Sequence, residues 1–192
     1  MAAEQLSKAT DNVNNLISEN AKYVSGFDKG DLALPPARKY LIGMLNPKPV
    51  LEAATNTLAL VTCMDARIDP AAAFGINLGD AHVIRNAGGN AKDALRSILI
   101  SQHLLGTREI ILVKHTGCGM LTFQNADALK VVAQNQGAGV LSSTFDFQPF
   151  PDLEQGVRDD LLWLKNNGAV VKDTELSGWI YEVESGKTRR VL

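Results

Sequence analysis

The sequence is poor in cysteine, with two in 192 residues, at positions 63 and 118. That count excludes a disulfide framework and makes a reducing compartment the default. No apolar run approaches the roughly 20 residues that a membrane-crossing helix needs. The opening Met1-Ala2-Ala3-Glu4-Gln5 lacks a basic stretch followed by an apolar one, so it does not read as a secretory leader. No arginine precedes Arg38, which argues against a transit peptide. The cytoplasm is therefore the expected location. An excess of charge is missing as well: 19 Lys and Arg stand against 21 Asp and Glu, for a net charge of -2. Nothing in that balance points to nucleic acid or to an anionic membrane as a partner. Internal repeats and low-complexity tracts are absent too.

What remains is ordinary for a globular protein, with 45% hydrophobic and 21% charged residues, enough to bury a core. The length fits one domain over residues 1–192, with residues 1–36 as an N-terminal helix and loop arm. Apolar spacing through Leu6, Ala9, Val13, Leu16, Ile17 and Val24 predicts a helix over 4–24. A loop is expected from Gly26 to Pro36, then a short helix over 37–45 that ends at Asn46-Pro47.

Thr57 to Thr62, Ala81 to Arg85 and Glu109 to Lys114 are short runs rich in branched residues. The first and third read as strands buried on both faces, the pattern of a parallel sheet. Asn86 to Asn90 reads as a glycine-containing turn, in which Gly88-Gly89 supply tight bending rather than a phosphate cradle. Residues 92–105 carry a helical apolar stripe, with Asn90 as N-cap and Gly106 as stop. A second helix is expected over 152–167, ended by Gly168, and a final hairpin over 179–184 and 188–191. Residues 135–150 read as a long loop. The whole describes an α/β fold: a mainly parallel sheet flanked by helices, with an antiparallel edge strand.

The chemically distinctive residues fall just beyond strand C-termini, the edge at which open α/β sheets bind ligands. Cys63 follows the first strand, Arg85-Asn86 end the second, and His115 follows the third. Cys63-Met64-Asp65-Ala66-Arg67 holds a thiol, a carboxylate and a guanidinium within five residues, and His115-Thr116-Gly117-Cys118 is an H-x-x-C pair. Together they offer two thiolates and an imidazole, donors that favour zinc over magnesium or calcium. Three protein ligands leave a fourth position open, which marks a catalytic zinc site.

C-M-D-A-R, H-T-G-C-G and the intervening Arg85-Asn86-Ala87-Gly88-Gly89 resemble the motifs of the β-class carbonic anhydrases, most strongly from about Leu58 to Phe123. The resemblance implies one Zn2+ per chain held by Cys63, His115 and Cys118. It implies that Asp65 accepts a hydrogen bond from zinc-bound water or hydroxide, that Arg67 holds Asp65 off the metal, and that the Gly119 amide lies near substrate. Ala66 stands where many members have serine, a feature similar to a compact subgroup that includes carbonyl sulfide hydrolases. The implied activity is hydration of carbon dioxide to bicarbonate by zinc-bound hydroxide, and the implied assembly is a homodimer or a set of dimers. Hydrolysis of carbonyl sulfide at the same centre is the alternative, and a zinc-bound but inactive scaffold is a second. In the three-histidine zinc sites of unrelated fold, bound water titrates near about 7. Two thiolates cancel the metal's charge, so activity here is expected to rise only through mildly alkaline pH.

Blander readings compete with each residue. A lone cysteine after an apolar strand is usually a small hydrophobe. Cys63 and Cys118 could pair as a disulfide, and Asp65 with Arg67 could be a mere surface ion pair. His82 and His103 read as packing or surface residues, and Arg85 as structural. The zinc reading requires the two sulfurs to lie within about 7 Å of one another, since zinc–sulfur bonds are near 2.3 Å.

Overall fold

In a computed structural model of the chain, the described residues are 11–28 and 57–192. The chain divides into two compact units, residues 1–32 and 33–192. The described part of the first is helix α1 (Asp11–Val24), closed by bonds from Gly26 N to Tyr23 O and from Phe27 N to Val24 O. The predicted helix over 4–24 is thus met from Asp11 onward. Its first residues, the loop beyond residue 28 and the short helix over 37–45 lie outside the described residues.

The second unit is built on one sheet, with β1 (Thr57–Cys63), β2 (Ala81–Asn86), β3 (Thr107–His115), β4 (Glu175–Tyr181) and β5 (Thr188–Arg190) in the order β2-β1-β3-β4-β5. The first four strands pair in parallel, and β5 pairs antiparallel to β4. Period-two alternation sorts the apolar side chains into two cores. Ala59, Val61, Ile110 and Leu112 face one way, with Ile98, Val157, Leu161 and Leu164. Leu58, Leu60, Ile111 and Val113 face the other way, with Ile68, Phe74, Ile76, Met120 and Phe150. Burial on both faces is why these strands read as unbroken apolar runs.

The helices of the first core are α3 (Ala91–His103) and α5 (Leu153–Asn166), preceded in the chain by the short α2 (Pro70–Phe74). Asn90 caps α3 by accepting from the Lys92 and Asp93 amides, as its position predicts. Gly106 follows the end of α3 with φ +81° and donates to Gln102 O. Asp152 caps α5, which ends at Asn166 with Asn167 as C-cap, just before the predicted glycine stop. Two helices have no counterpart in the sequence expectations: α2, started by the Asp69 cap, and α4 (Asn125–Gln136). Helix α4 buries none of its side chains fully; Ala128, Leu129, Val132 and Ala133 form a short half-buried stripe on one face. The expected loop over 135–150 holds from residue 137. Strand β4 starts four residues before the predicted hairpin because it first pairs with β3. No helix among the described residues is long and apolar enough to cross a membrane.

Glu109 opens the buried part of β3 and sits in register with Glu175 of β4. Burial, and secondarily the Glu175 charge, pushes its carboxyl up from 4.5 to about 7. The folded state therefore holds this proton more tightly than the unfolded chain does. Below the unfolded value Glu109 costs nothing. As pH rises from there through the folded value, stability is lost, and above it the loss is constant, at most about 3 kcal/mol. Urea denaturation of Glu109→Gln is expected to show a gain over the parent at about pH 8 that shrinks to nothing near about pH 4. An equal gain at both would show that the carboxyl does not titrate in this way.

Candidate metal centre

Successive strands move to opposite sides of β1: β2 pairs on one side and β3 on the other. The segments after β1 and β3 therefore diverge, opening the crevice at which this sheet type binds ligands. Cys63 ends β1, His115 ends β3, and Cys118 precedes a 3-10 turn (Gly119–Leu121). One donor atom from each of the three residues lies within 4.8 Å of the other two. All three side chains are buried, and both cysteines are free thiols. The sulfurs thus satisfy the 7 Å condition, and the disulfide reading is set aside.

Does this cluster suit a metal? His115 Nδ1 lies 2.9 Å from Thr116 O, which makes Nδ1 the protonated nitrogen. Its Nε2 is buried with no hydrogen-bond partner. A buried nitrogen without a partner costs free energy, about 1–3 kcal/mol. A cation shared with the two sulfurs removes that cost, and a backbone carbonyl on the far nitrogen is the usual support of a ligating histidine. The donor set fits a thiophilic ion such as zinc.

The local electrostatics favour a deprotonated sulfur on Cys63 but not on Cys118. A hydrogen bond from Cys118 is the main influence drawing the Cys63 thiol down; His115 and the Asp65 and Gly88 amides add to it, and burial opposes it. Cys118 is pushed up, chiefly by its bond to Cys63 and by burial, so the pair shares one proton. Burial opposes charge on His115, yet the neighbouring Cys63 sulfur raises it.

Asp65 stands at the rim, with Oδ2 3.8 Å from His115 Nε2. Arg67 grips it with a fork: Nε to Oδ1 at 2.9 Å and Nη2 to Oδ2 at 2.7 Å. The Arg67 amide also donates to Oδ1, and its Nη2 reaches Gly117 O. Arg67 thereby holds the Asp65 carboxyl well below the usual carboxylate range. That geometry is more than a loose surface pair, because three donors converge on one carboxylate. Arg85 donates to Cys63 O and Asp65 O, which ties the C-M-D-A-R segment to β2. Gly119 is exposed next to Cys118, with open space where a side chain would project. His82 bonds Ser101, and His103 bonds Ala169 O, both away from the cluster.

Two supports escaped sequence reasoning. The first is Thr116, whose hydroxyl donates to Glu184 Oε2 at 2.6 Å and accepts from Val183 N, joining the segment after β3 to the one after β4. The second is Lys114, whose Nζ is buried against Asp160 Oδ2 at 2.9 Å and Gly88 O at 3.0 Å. A lysine closing an otherwise apolar strand was the available signal.

Comparison with known proteins bears on this arrangement. Residues 58–144 match the family model described as carbonic anhydrase. The chain is 39% identical over 179 residues to beta-carbonic anhydrase 1 of Mycobacterium tuberculosis, covering 93% of this chain and 96% of that one. It is 36% identical over 156 residues to the carbon disulfide hydrolase of Saccharolobus solfataricus, covering 69% and 76%. Among solved structures, a carbonic anhydrase from Streptococcus mutans superposes with a TM-score of 0.81 at 36% identity, covering 96% of this chain and all of that one.

Proposed function

The chain belongs to the β-carbonic anhydrase family, and from that membership we propose that it hydrates carbon dioxide to bicarbonate at one zinc ion held by Cys63, His115 and Cys118. The observation that carries this reading is the buried triad of donors with an orphaned His115 Nε2. When bound, zinc supplies Lewis acidity that lowers the pKa of water at an open coordination position.

The protein's own groups do the positioning. Thr116 O holds the imidazole in the tautomer that directs the Nε2 lone pair toward the two sulfurs. Asp65, ionised throughout the working range, accepts a hydrogen bond from the attacking water and so orients it. Arg67 keeps that carboxylate turned so that it cannot itself occupy the water's place. Gly119 offers its amide to an oxygen of the substrate, and the absence of a side chain there leaves room for it. A dimer, or an assembly of dimers, belongs to this reading and is checked by the mass of the protein in solution.

The test is stopped-flow carbon dioxide hydration by protein of known zinc content, run beside sulfide release from carbonyl sulfide and from carbon disulfide. Dominant hydration supports the reading. Dominant sulfide release supports the second one, a hydrolase of sulfur-containing substrates, which the 36% identity to a carbon disulfide hydrolase keeps in view. Similarity over 93% of the chain to a carbonic anhydrase, against 69% for the hydrolase, favours the first.

Arg67→Lys separates the fork from simple charge. A lysine keeps the cation but not the two parallel donors. We expect kcat to fall about tenfold or more with zinc content unchanged, the size of effect seen when a supporting partner is lost. A near-parental kcat would remove Arg67 from the proposed machinery.

A further inference from the structure

Lys114 is almost wholly buried, and its ammonium has three partners: Asp160 Oδ2 at 2.9 Å, Gly88 O at 3.0 Å and Gly89 O at 3.4 Å. The Phe150 ring lies under the cation, 4.3 Å from Nζ to centroid. Three donors meet three acceptors, so the group is satisfied in a place where an unpaired charge would not be tolerated. Burying an ion pair seldom adds stability over an apolar pair of the same shape. The question is what else this one does.

Its carbonyl partners answer it. Gly88 and Gly89 both adopt left-handed backbone, with φ +74° and +58°. Their turn is wedged between the two cysteine segments. A Cβ on Gly89 would lie 3.0–3.1 Å from backbone atoms of Thr62 and Cys63, and one on Gly88 would lie 2.8 Å from Met120 Cγ. One end of this short turn thus faces a proposed zinc ligand, while its carbonyls are gripped from behind. Asp160 extends the grip, because the same oxygen accepts from Ala91 N at the start of α3, the helix that the turn leads into.

We propose that Lys114, anchored by Asp160, is a positioning residue that clamps the Gly88-Gly89 turn against the Thr62-Cys63 backbone and so fixes the direction of the Cys63 side chain. This rests on the reading of Cys63 as a zinc ligand. Outer contacts that fix the direction of a ligand are among those that set metal affinity. The clamp is a feature of the protein's interior and touches neither water nor substrate.

The test uses the zinc-loaded full chain and the double variant Lys114→Met/Asp160→Leu, which removes both charges and strands neither. A core variant on the same face of the sheet, Val157→Ala, serves as the control for destabilisation alone. Zinc affinity, measured by competition with a chelator, is expected to fall about 10- to 100-fold in the double variant and to stay at the parental value in the control. In cobalt-loaded samples, the thiolate-to-metal charge-transfer band of the double variant should shift, and that of the control should not. A second variant leaves the ion pair intact: Gly89→Ala would put a Cβ 3.1 Å from Cys63 N, pressing the turn off the ligand's backbone, and should lower zinc affinity as well. Parental zinc affinity in the double variant, or in Gly89→Ala, overturns the proposal. A parent that binds no zinc overturns it together with the underlying reading, so the two failures are told apart.

Discussion

Cys118→Ser should leave the protein folded, with less than about a tenth of the parental zinc after dialysis and hydration slowed by about a hundredfold or more. Serine is close to cysteine in size but does not ionise near neutral pH, so a thiolate is exchanged for a poor ligand. The loss should exceed the 10- to 100-fold that changes in a supporting shell produce. Cys118 is buried in the second core, yet its side chain is small, so loss of packing is minor beside loss of metal. The decisive comparison is between metal content and melting temperature. If zinc is retained and rate is lost, the residue acts in some way other than ligation. If both are retained, the proposed centre is wrong.

The second large effect concerns folding. Lys114→Met alone should destabilise the protein by about 3–5 kcal/mol, because Asp160 is left charged and buried without its partner. The Lys114→Met/Asp160→Leu variant should recover most of that. It still loses an acceptor for Ala91 N, a debt of about 1 kcal/mol. Urea melts of the three proteins give the comparison directly. A double variant as unstable as the single one would mean that the cost lies in the packing of Lys114, not in the stranded carboxylate.

The legible parts of the molecule were those in which local pattern and burial agree. Thr57–Cys63 and Thr107–His115 read correctly because both faces of each strand are covered, so their central residues Leu58–Val61 and Ile110–Val113 are apolar without a break. The Asn90 cap was visible because a short polar side chain before an apolar stripe has few other uses. The donor cluster was legible for a related reason: Cys63 and the H-x-x-C pair each end a buried strand, so parallel pairing alone brings them to one edge. Helix α4 was missed because its stripe, Ala128, Leu129, Val132 and Ala133, is short and only half-buried. The pairing of Lys114 with Asp160 was not legible either. Forty-six residues separate them, and contact depends on how α5 settles on the sheet, which no local pattern encodes. The substrate question resists sequence reading for the same physical reason: it turns on the width of a crevice, and width is set by packing.

The bonds around Thr116 bear on the order in which the protein can mature. Its amide donates to Tyr181 O, its hydroxyl bonds Glu184, and Val183 donates back to it, while its own carbonyl fixes the His115 ring. The loop that aims the imidazole is therefore moored to residues translated some 65 positions later. A nascent chain that has emerged only as far as the H-x-x-C pair holds all three metal donors but not the scaffold that orients one of them. Metal capture by the emerging polypeptide should accordingly be loose and exchangeable, and become tight only once the final strands have docked.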